Sequence, residues 1–327
     1  MIDFTSALYL GMEHSSTSLP AWPHLTQGKP AALESAPGTS RLEEELARLL
    51  GCDRAMLAPS TLHAFCDVFA AVAGPRDTIL LDGDAYPIAR LAAGCRARPL
   101  GEQSAQAGRQ LIVADGFLPF RGCSPPIEKY SRAAQRSGGL LIVDDTQAFG
   151  LGPGGRGAMD FRRFRGGHVI VVASMAKAFG VPVAVIGGNG KTMARLEELS
   201  FSRVHCSPPS AAVVAAALRA LEINRRCGDE LRETLRGNVA EFRRGLSQLG
   251  LVAVRGRFPV QPIRGGTGPE AAALHEFLEK RGVNALLGRT SGSGAAQVVF
   301  VLTARHSLAQ LDAAVDALKS WRGRAAL

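Results

Sequence analysis

The chain has 327 residues, 46% of them hydrophobic and 20% charged, a composition typical of a globular protein and not of a fibre or a disordered tail. Its formal net charge is +9, and the arginines that produce most of this charge are scattered along the chain. Scattered charge is typical of a solvated surface, and an anionic ligand is the second interpretation. Because the sequence shows no basic and aromatic patch, we expect no nucleic-acid partner.

The cysteines form no Cys-x-x-Cys pair and show no zinc-ligand spacing, so we expect reduced, mostly buried thiols and no metal site. They are Cys52, Cys66, Cys95, Cys123, Cys206 and Cys227. No basic start with an apolar stretch and a cleavage site opens the chain. The longest weakly polar stretch, residues 166–190, is interrupted by Pro182 and Lys177, so we expect a cytoplasmic protein with no membrane segment.

Short apolar runs alternate with amphipathic segments, the pattern of a mostly parallel sheet covered by helices on both faces. Ser40 and Glu43 have the spacing of a capping box, which predicts a helix from there to Gly51. Strands are predicted over residues 78–81, 110–114, 139–144, 168–173 and 183–187. Helices are predicted near residues 60–73, 86–95 and 125–137.

The last third of the chain has a different pattern. Residues 208–250 are predicted to be helical, with a break near Cys227 and Gly228. A second, smaller α/β unit follows, predicted as strands 251–254 and 260–264, helix 270–281, strands 283–287 and 298–303, and helix 308–321. The predicted parts are an N-terminal segment packing near the small domain (1–39), a large domain (40–230) and a small C-terminal domain (231–327).

The strongest functional signal is a lysine in apolar surroundings. Lys177 is the only formally charged side chain in residues 166–190, so it either reaches out to water or lies in a desolvated site. Upstream, Asp144 and Asp145 end an apolar run, at the position where open α/β sheets bind ligands. Paired aspartates also occur at metal sites and helix caps, so the order of the segments has to decide.

That order resembles the pyridoxal-phosphate (PLP) enzymes of the class I and II aminotransferase superfamily, fold type I, and in particular the α-oxoamine synthases. An Asp-Asp-x-Gln strand end at 144–147 precedes a Gly-rich turn, a strand and the lysine turn. Further similar segments are residues 4–11, 42–47, 115–122, 150–157, 207–209 and 302–306. The resemblance implies an α/β fold, with a mostly parallel seven-stranded sheet in the large domain and a smaller C-terminal α/β domain.

The resemblance also implies roles for residues around the lysine. Lys177 would form the Schiff base with PLP, for which a desolvated amine of lowered pKa is suited. Asp144 would lie on the pyridine nitrogen, and Asp145 would be structural. Gln147 stands where the family has a histidine beside the 3-oxygen of the cofactor, and an amide can donate that hydrogen bond. Ser174 would add a hydroxyl.

Other cofactor-binding residues are expected elsewhere in the chain. The phosphate is expected at a helix start formed by Ser60, Thr61 and Leu62, where a plain helix cap is the alternative. Tyr86 takes the place of the family's stacking histidine, or is an ordinary half-buried aromatic residue. Arg289 lies near the position of the family's substrate-carboxylate arginine, although a solvated loop arginine is the default interpretation. We interpret His63, His168 and His205 as structural.

Three functions follow from these residues. The first is α-oxoamine synthase-like chemistry, the decarboxylative condensation of an amino acid with an acyl-CoA or acyl-carrier thioester. The second is transamination, giving a keto product and pyridoxamine phosphate, which needs only the lysine as proton carrier and tolerates Tyr86 and Gln147. The third is a noncatalytic PLP-fold binding protein. The resemblance further implies a homodimer with shared active sites, in which the loop near Ser207 reaches the partner's phosphate.

Overall fold

The computed structural model describes residues 1–101, 108–159, 167–251, 256–263, 267–289 and 296–325. The strands are β1 (Ile2–Asp3), β2 (Arg54–Ala58), β3 (Thr78–Leu81), β4 (Ala97–Pro99), β5 (Gln110–Asp115), β6 (Leu140–Asp144), β7 (Val169–Ser174), β8 (Ala184–Gly188), β9 (Val260–Pro262), β10 (Val283–Asn284), β11 (Leu286–Arg289) and β12 (Ala296–Val301). The α-helices are α1 (Thr39–Leu50), α2 (Thr61–Val72), α3 (Pro87–Ala93), α4 (Ile127–Arg136), α5 (Gly190–Leu199), α6 (Phe201–His205), α7 (Ala211–Gln248), α8 (Gly268–Lys280) and α9 (Leu308–Ala325).

The largest sheet has seven strands in the order β2-β8-β7-β6-β5-β3-β4. Strand β8 runs antiparallel to both of its neighbours, and the other pairings are parallel. The central strands are buried along nearly their whole length, at residues 111–114, 141–143 and 169–173. Strands covered on both faces have continuous apolar sequences, so these runs contain Val, Ile, Leu and Ala where an exposed sheet would alternate with polar residues. The predicted mostly parallel seven-stranded sheet is confirmed.

The chain folds into two compact units. The large unit comprises Glu13–Phe117 and Ser124–Arg226, and the small unit comprises Met1–Met12, Leu118–Cys123 and Cys227–Leu327. The large unit contains the seven-stranded sheet and a core made with α2, α3 and α5. The predicted division at residues 1–39, 40–230 and 231–327 stays a prediction.

The small unit is built around an antiparallel sheet in the order β11-β12-β9 and a short parallel pair, β1 with β10. Its core is aromatic: the Phe4 ring lies 5.3 Å from the Phe300 ring and 6.2 Å from the Phe242 ring, and stacks on His306 at 4.4 Å. Phe4 directly follows β1, and its carbonyl accepts a hydrogen bond from the Val301 amide. The N-terminal dozen residues are therefore part of this core.

Several local predictions are wrong, each for a physical reason. Ser40 and Glu43 form no capping box: α1 begins after Gly38, which has a φ of 86°, and the Glu43 carboxylate accepts a hydrogen bond from the Leu57 amide at 3.0 Å. Helix α7 runs unbroken past Cys227, because a glycine inside a long packed helix costs only about 1 kcal/mol.

The cysteine prediction also needs correction. None of the six cysteines, all of which lie in the described part of the chain, forms a disulfide, but three are exposed and three half-buried, so "mostly buried" is wrong. The predicted strand 251–254 lies largely outside the described residues. In the part of the chain that the structure describes, no helix is both long and apolar enough to span a membrane.

Candidate cofactor site

The candidate site lies at one edge of the seven-stranded sheet. Strands β2, β3, β5, β6 and β7 run in the same direction, so their carboxyl ends meet at this edge. Polar side chains stand at or just after these ends, namely Ser60, Asp82, Asp115, Asp144 and Ser174. Ligand sites of open α/β sheets are found at such edges, and the predicted residues of the large unit converge here.

Asp144 ends β6 and is buried, with 6% of its surface exposed. Its Oδ1 accepts a hydrogen bond from the Thr146 amide at 3.0 Å. Burial raises the pKa of Asp144, while the bonds from Thr146 and the positive charge of Lys177 lower it. A carboxylate in this setting is stabilised by any further cation placed beside it, which is what a protonated pyridine nitrogen would supply.

Lys177 lies three residues after β7 and is half-buried. Burial lowers the pKa of its ammonium group, and the Asp144 carboxylate opposes that change. A lowered pKa increases the fraction of neutral amine, the form that reacts with a carbonyl group. The structure thus brings Lys177 and Asp144 close enough to affect each other's charge, as the sequence predicted.

The turn that carries Lys177 is held by short-range hydrogen bonds. Ser174 Oγ accepts from the Ala176 amide at 3.1 Å, and the Val181 amide donates to the Met175 carbonyl at 3.1 Å. Gly150 of the Gly-rich turn has a φ of 95°, and a Cβ there would lie 2.5 Å from the Cβ of Ala178. A glycine is therefore required at position 150 for that turn to pack against the residue after the lysine.

Asp145 is fully buried and serves the fold. Its two oxygens accept hydrogen bonds from the Ala158 and Met159 amides at 3.0 and 3.1 Å. Burial raises its pKa to about 7, and the Asp144 charge adds to the shift. A Cβ at Gly157 would collide with the Asp145 carboxylate, so the chain needs a glycine there. These contacts support the structural role that we predict for Asp145.

The predicted phosphate turn is the start of α2. Ser60 is the N-cap residue: its Oγ accepts from the His63 amide at 3.4 Å and lies 2.9 Å from His63 Nδ1. Thr61 and Leu62 occupy the first turn, where helix amides have no partner within the helix and attract anions. The cap interpretation of Ser60 is therefore observed, and the same turn still offers amides to a phosphate.

Tyr86 precedes α3, and half of its surface is exposed. Its amide donates to Asp115 Oδ1 at 3.0 Å, which ties the start of α3 to the end of β5. Gln147 is half-buried on the turn after Asp144. Arg289 ends β11 in the small unit, and its side chain lies outside the described part of the structure.

Sequence reasoning missed three residues at this edge. Thr146 Oγ1 accepts from the Ser174 amide at 3.0 Å and so joins the ends of β6 and β7. His14 Nε2 lies 2.9 Å from the Phe179 carbonyl oxygen, two residues after the lysine. Asp115 belongs to the family-like segment 115–122, but the sequence predicts no role for Asp115 itself. These contacts are tertiary, and only the Asp-Gly strand end at Asp115 is visible in the sequence.

The arrangement fits PLP. It offers a half-buried amine at Lys177, a buried carboxylate at Asp144, helix amides for a phosphate at Thr61 and Leu62, and an exposed aromatic ring at Tyr86. These are the groups that PLP enzymes need for the aldehyde, the pyridine nitrogen, the phosphate and the ring face.

Comparison with known proteins defines the class. A family model described as aminotransferase class I and II matches residues 105–318. The chain therefore belongs to the class I and II aminotransferase family of PLP-dependent enzymes, and is a PLP-dependent transferase similar to the α-oxoamine synthases. The family, the fold and the cofactor that the sequence resemblance implied are confirmed.

The individual relatives agree with this assignment. The chain is 31% identical over 294 residues to 8-amino-7-oxononanoate synthase of Stutzerimonas stutzeri, an alignment that covers 85% of this chain and 75% of that protein. It is 31% identical over 312 residues to the enzyme of the same name from Methylococcus capsulatus, covering 90% and 79%. Serine palmitoyltransferase of Sphingomonas wittichii shares the fold, with a TM-score of 0.85, 20% identity and coverage of 98% and 86%.

Proposed function

We propose that this enzyme condenses an amino acid with an acyl thioester, releasing carbon dioxide and the free thiol. The observation that carries the proposal is the pairing of a half-buried lysine with a buried aspartate at the carboxyl edge of the sheet, in a chain similar to 8-amino-7-oxononanoate synthases. PLP, when bound, supplies an electron-withdrawing ring that stabilises negative charge at the substrate Cα. The amino acid and the acyl thioester are proposed as substrates because of the similarity to 8-amino-7-oxononanoate synthases.

Lys177 has two tasks in this proposal. Its neutral amine would hold the cofactor, and the same amine would move a proton at the substrate Cα. Both tasks need an amine that is not permanently charged, and burial of Lys177 lowers its pKa in that direction. Asp144 keeps a negative charge next to the pyridine nitrogen and thereby holds a proton on it.

The remaining site residues position the cofactor. The amides of Thr61 and Leu62 bind the phosphate, and Ser60 orients them by capping α2. Tyr86 covers one face of the ring, and Gln147 donates a hydrogen bond to the 3-oxygen. For the substrate carboxylate, Arg289 stays the candidate that the resemblance implies. Ser174 Oγ already accepts from Ala176, and its hydrogen remains able to donate to a phosphate oxygen.

Transamination is the second candidate. Tyr86 and Gln147 stand where the resemblance places two histidines, so the site carries fewer groups that can move protons in an acylation step. Transamination would need one proton-transfer group, which Lys177 would supply, and a water molecule to release the keto acid and leave pyridoxamine phosphate.

One assay separates the candidates. The PLP-loaded protein is incubated with a panel of amino acids, with and without acyl-CoA, while free thiol, carbon dioxide and pyridoxamine phosphate are measured. Condensation predicts thiol and carbon dioxide release that require both substrates; transamination predicts pyridoxamine phosphate and a keto acid without thiol release. Lys177→Ala abolishes either reaction and Lys191→Ala, an exposed lysine, leaves it unchanged. PLP binding without any reaction across the panel favours a noncatalytic binding protein.

We further propose that the enzyme is a cytoplasmic homodimer. Exposed apolar side chains lie on α6 and on residues 30–34, the segment before α1: Phe201 is 66% and Leu33 74% exposed. The Ala32 amide donates to the Arg203 carbonyl at 2.7 Å, which holds that segment beside α6, close to Ser207. An apolar patch of this kind is typical of a protein interface. Light scattering tests it: Phe201→Glu should yield monomers, and Leu308→Glu, an equally exposed position in the small unit, should not.

A further inference from the structure

Asp115 is a buried carboxyl group at the candidate site to which the proposed roles assign no task. It ends β5, and only 8% of its surface is exposed. Its Cα pairs in register with that of Asp144 on the neighbouring parallel strand, and the Gly116 amide donates to the Asp144 carbonyl at 2.7 Å. Because residues in register on adjacent strands point to the same face, the two carboxyl groups are neighbours at the sheet edge.

Asp115 also holds the backbone of Tyr86. Its Oδ1 accepts the Tyr86 amide at 3.0 Å, and Tyr86 is the residue from which α3 starts. The nearby Asp82 has other partners: its Oδ1 accepts from the Asp84 amide at 2.9 Å, and the Tyr130 hydroxyl donates to its Oδ2. The position of the Tyr86 backbone therefore depends on the Asp115 carboxyl.

The charges around Asp115 favour its neutral form. Burial is the largest influence, and the carboxylates of Asp144, Asp82 and Asp84 add to it, while the Tyr86 amide acts in the opposite direction; together they raise the pKa of Asp115 to about 8. Two further charged groups interact with Asp144: Asp145, whose pKa is also raised, and Lys177, whose positive charge lowers the pKa of Asp144. At neutral pH, Asp115 thus keeps its proton.

We infer that Asp115 is a positioning residue of the cofactor site, a protonated carboxyl group that holds the Tyr86 backbone at the sheet edge without placing a second negative charge beside Asp144. The inference rests on the proposed function, because it takes Tyr86 and Asp144 to be cofactor-binding residues. Ionisation of Asp115 above neutral pH adds a negative charge beside Asp144, which raises the pKa of the cationic groups that Asp144 stabilises.

The first test uses protein without PLP and needs no activity. Melting temperatures are measured from pH 5 to 9 for the wild type, Asp115→Asn and Asp115→Ala. In the unfolded chain the Asp115 carboxyl loses its proton near pH 4, whereas in the folded chain it keeps it, so its contribution to stability is lost as pH rises towards 8. Asn cannot ionise and still accepts the Tyr86 amide, so Asp115→Asn should melt higher than the wild type at pH 7 to 8, with a flatter pH profile.

A matched control is Asp77→Asn. The Asp77 carboxylate is paired with Arg109 at 2.6 Å, which holds its pKa below the usual range, so it is ionised throughout pH 5 to 9 in both states. Loss of the Asp77 carboxylate should lower the melting temperature by the same amount at every pH, so the slope of melting temperature against pH should not change. If the melting temperature of Asp115→Asn changes with pH as steeply as that of the wild type, Asp115 is not protonated and the inference is wrong.

The second test measures PLP binding and the visible absorbance of the PLP-loaded protein against pH. Asp115→Asn should bind PLP as the wild type does. The wild type is expected to change absorbance near pH 8, where Asp115 loses its proton, and Asp115→Asn is expected to lack that change. Asp115→Ala should bind PLP about tenfold more weakly, because the Tyr86 amide loses its acceptor. Equal affinities of the Ala and Asn variants would overturn the positioning role.

A wild type that binds no PLP through Lys177 would refute the proposed function, while the melting profile still decides the protonation of Asp115.

Discussion

Two regions of the molecule bury polar groups in different ways. In the aromatic core of the small unit, both ring nitrogens of His306 have partners: Nδ1 accepts from the Thr303 amide and Nε2 lies 2.9 Å from the Asp3 carbonyl, each within an ordinary hydrogen-bond distance. At the sheet edge of the large unit, several carboxyl groups are buried close together, and their pKa values are raised. A buried polar group whose hydrogen bonds are all made stabilises the fold. Buried groups of like charge repel each other and destabilise the fold, and a cationic ligand bound beside them reduces that cost.

The same contrast holds between adjacent residues. Asp145 accepts hydrogen bonds from the amides of Ala158 and Met159 and is enclosed by glycines, while Asp144 accepts hydrogen bonds from the amide and the side chain of Thr146 and is influenced by Lys177. The lesson is that burial alone does not identify a functional carboxylate. The presence of a neighbouring lysine is more informative.

The largest expected effect separates Asp144 from Asp145. Asp144→Asn should lower turnover by a factor on the order of 10² or more, because an amide cannot hold a proton on the pyridine nitrogen, while the melting temperature stays equal or rises. Asp145→Ala should cost about 2–5 kcal/mol of stability, since two buried amides lose their acceptor.

Steady-state kinetics and thermal melts of the two variants test this. If Asp145→Ala melts like the wild type, or Asp144→Asn keeps wild-type turnover, the distinction between the two carboxylates is wrong.

A smaller effect distinguishes the two regions by their pH dependence. Burial lowers the pKa of His306, so the folded chain resists protonation of this ring. The unfolded chain takes up the proton near pH 6.5, so the His306 contribution to stability is present above that pH and is lost as pH falls below it. His306→Gln should therefore reduce the loss of melting temperature between pH 7 and 5.

The direction is opposite to that expected for Asp115, whose contribution to stability is lost as pH rises towards 8. Melting curves of both variants across pH 5 to 9 sharpen the comparison, and a His306→Gln profile parallel to that of the wild type below pH 6.5 would contradict it.

The smallest expected effect concerns helix caps. Ser60→Ala removes the N-cap of α2, and Thr267→Ala removes that of α8, where Thr267 and Glu270 form a capping box. Each should cost about 1 kcal/mol of stability. Only Ser60→Ala should also weaken PLP binding, because only that cap orients amides for the phosphate. Equilibrium PLP titrations decide this, and equal affinities of the two variants would remove Ser60 from the proposed phosphate turn.

The resemblance read from the sequence correctly indicated the family, the fold and the cofactor. Apolar runs such as 169–173 are long and β-branched enough to predict central strands, and a lone lysine in an apolar stretch stands out against a chain in which arginine is the common cation. Local spacing failed where a distant residue competed: the Leu57 amide takes the Glu43 carboxylate that the spacing assigned to a capping box.

The amino-acid sequence by itself therefore determined which residues are unusual, namely Lys177 and the Asp144–Asp145 pair, because hydrophobic patterning and the order of segments are local properties. Only the tertiary structure decided how those residues differ. Strand register places Asp115 beside Asp144. The amides of Ala158 and Met159 donate hydrogen bonds to Asp145, which gives it a structural role. The shift in a carboxyl pKa depends on burial and on neighbours brought together from distant parts of the chain, and no spacing within the sequence specifies these.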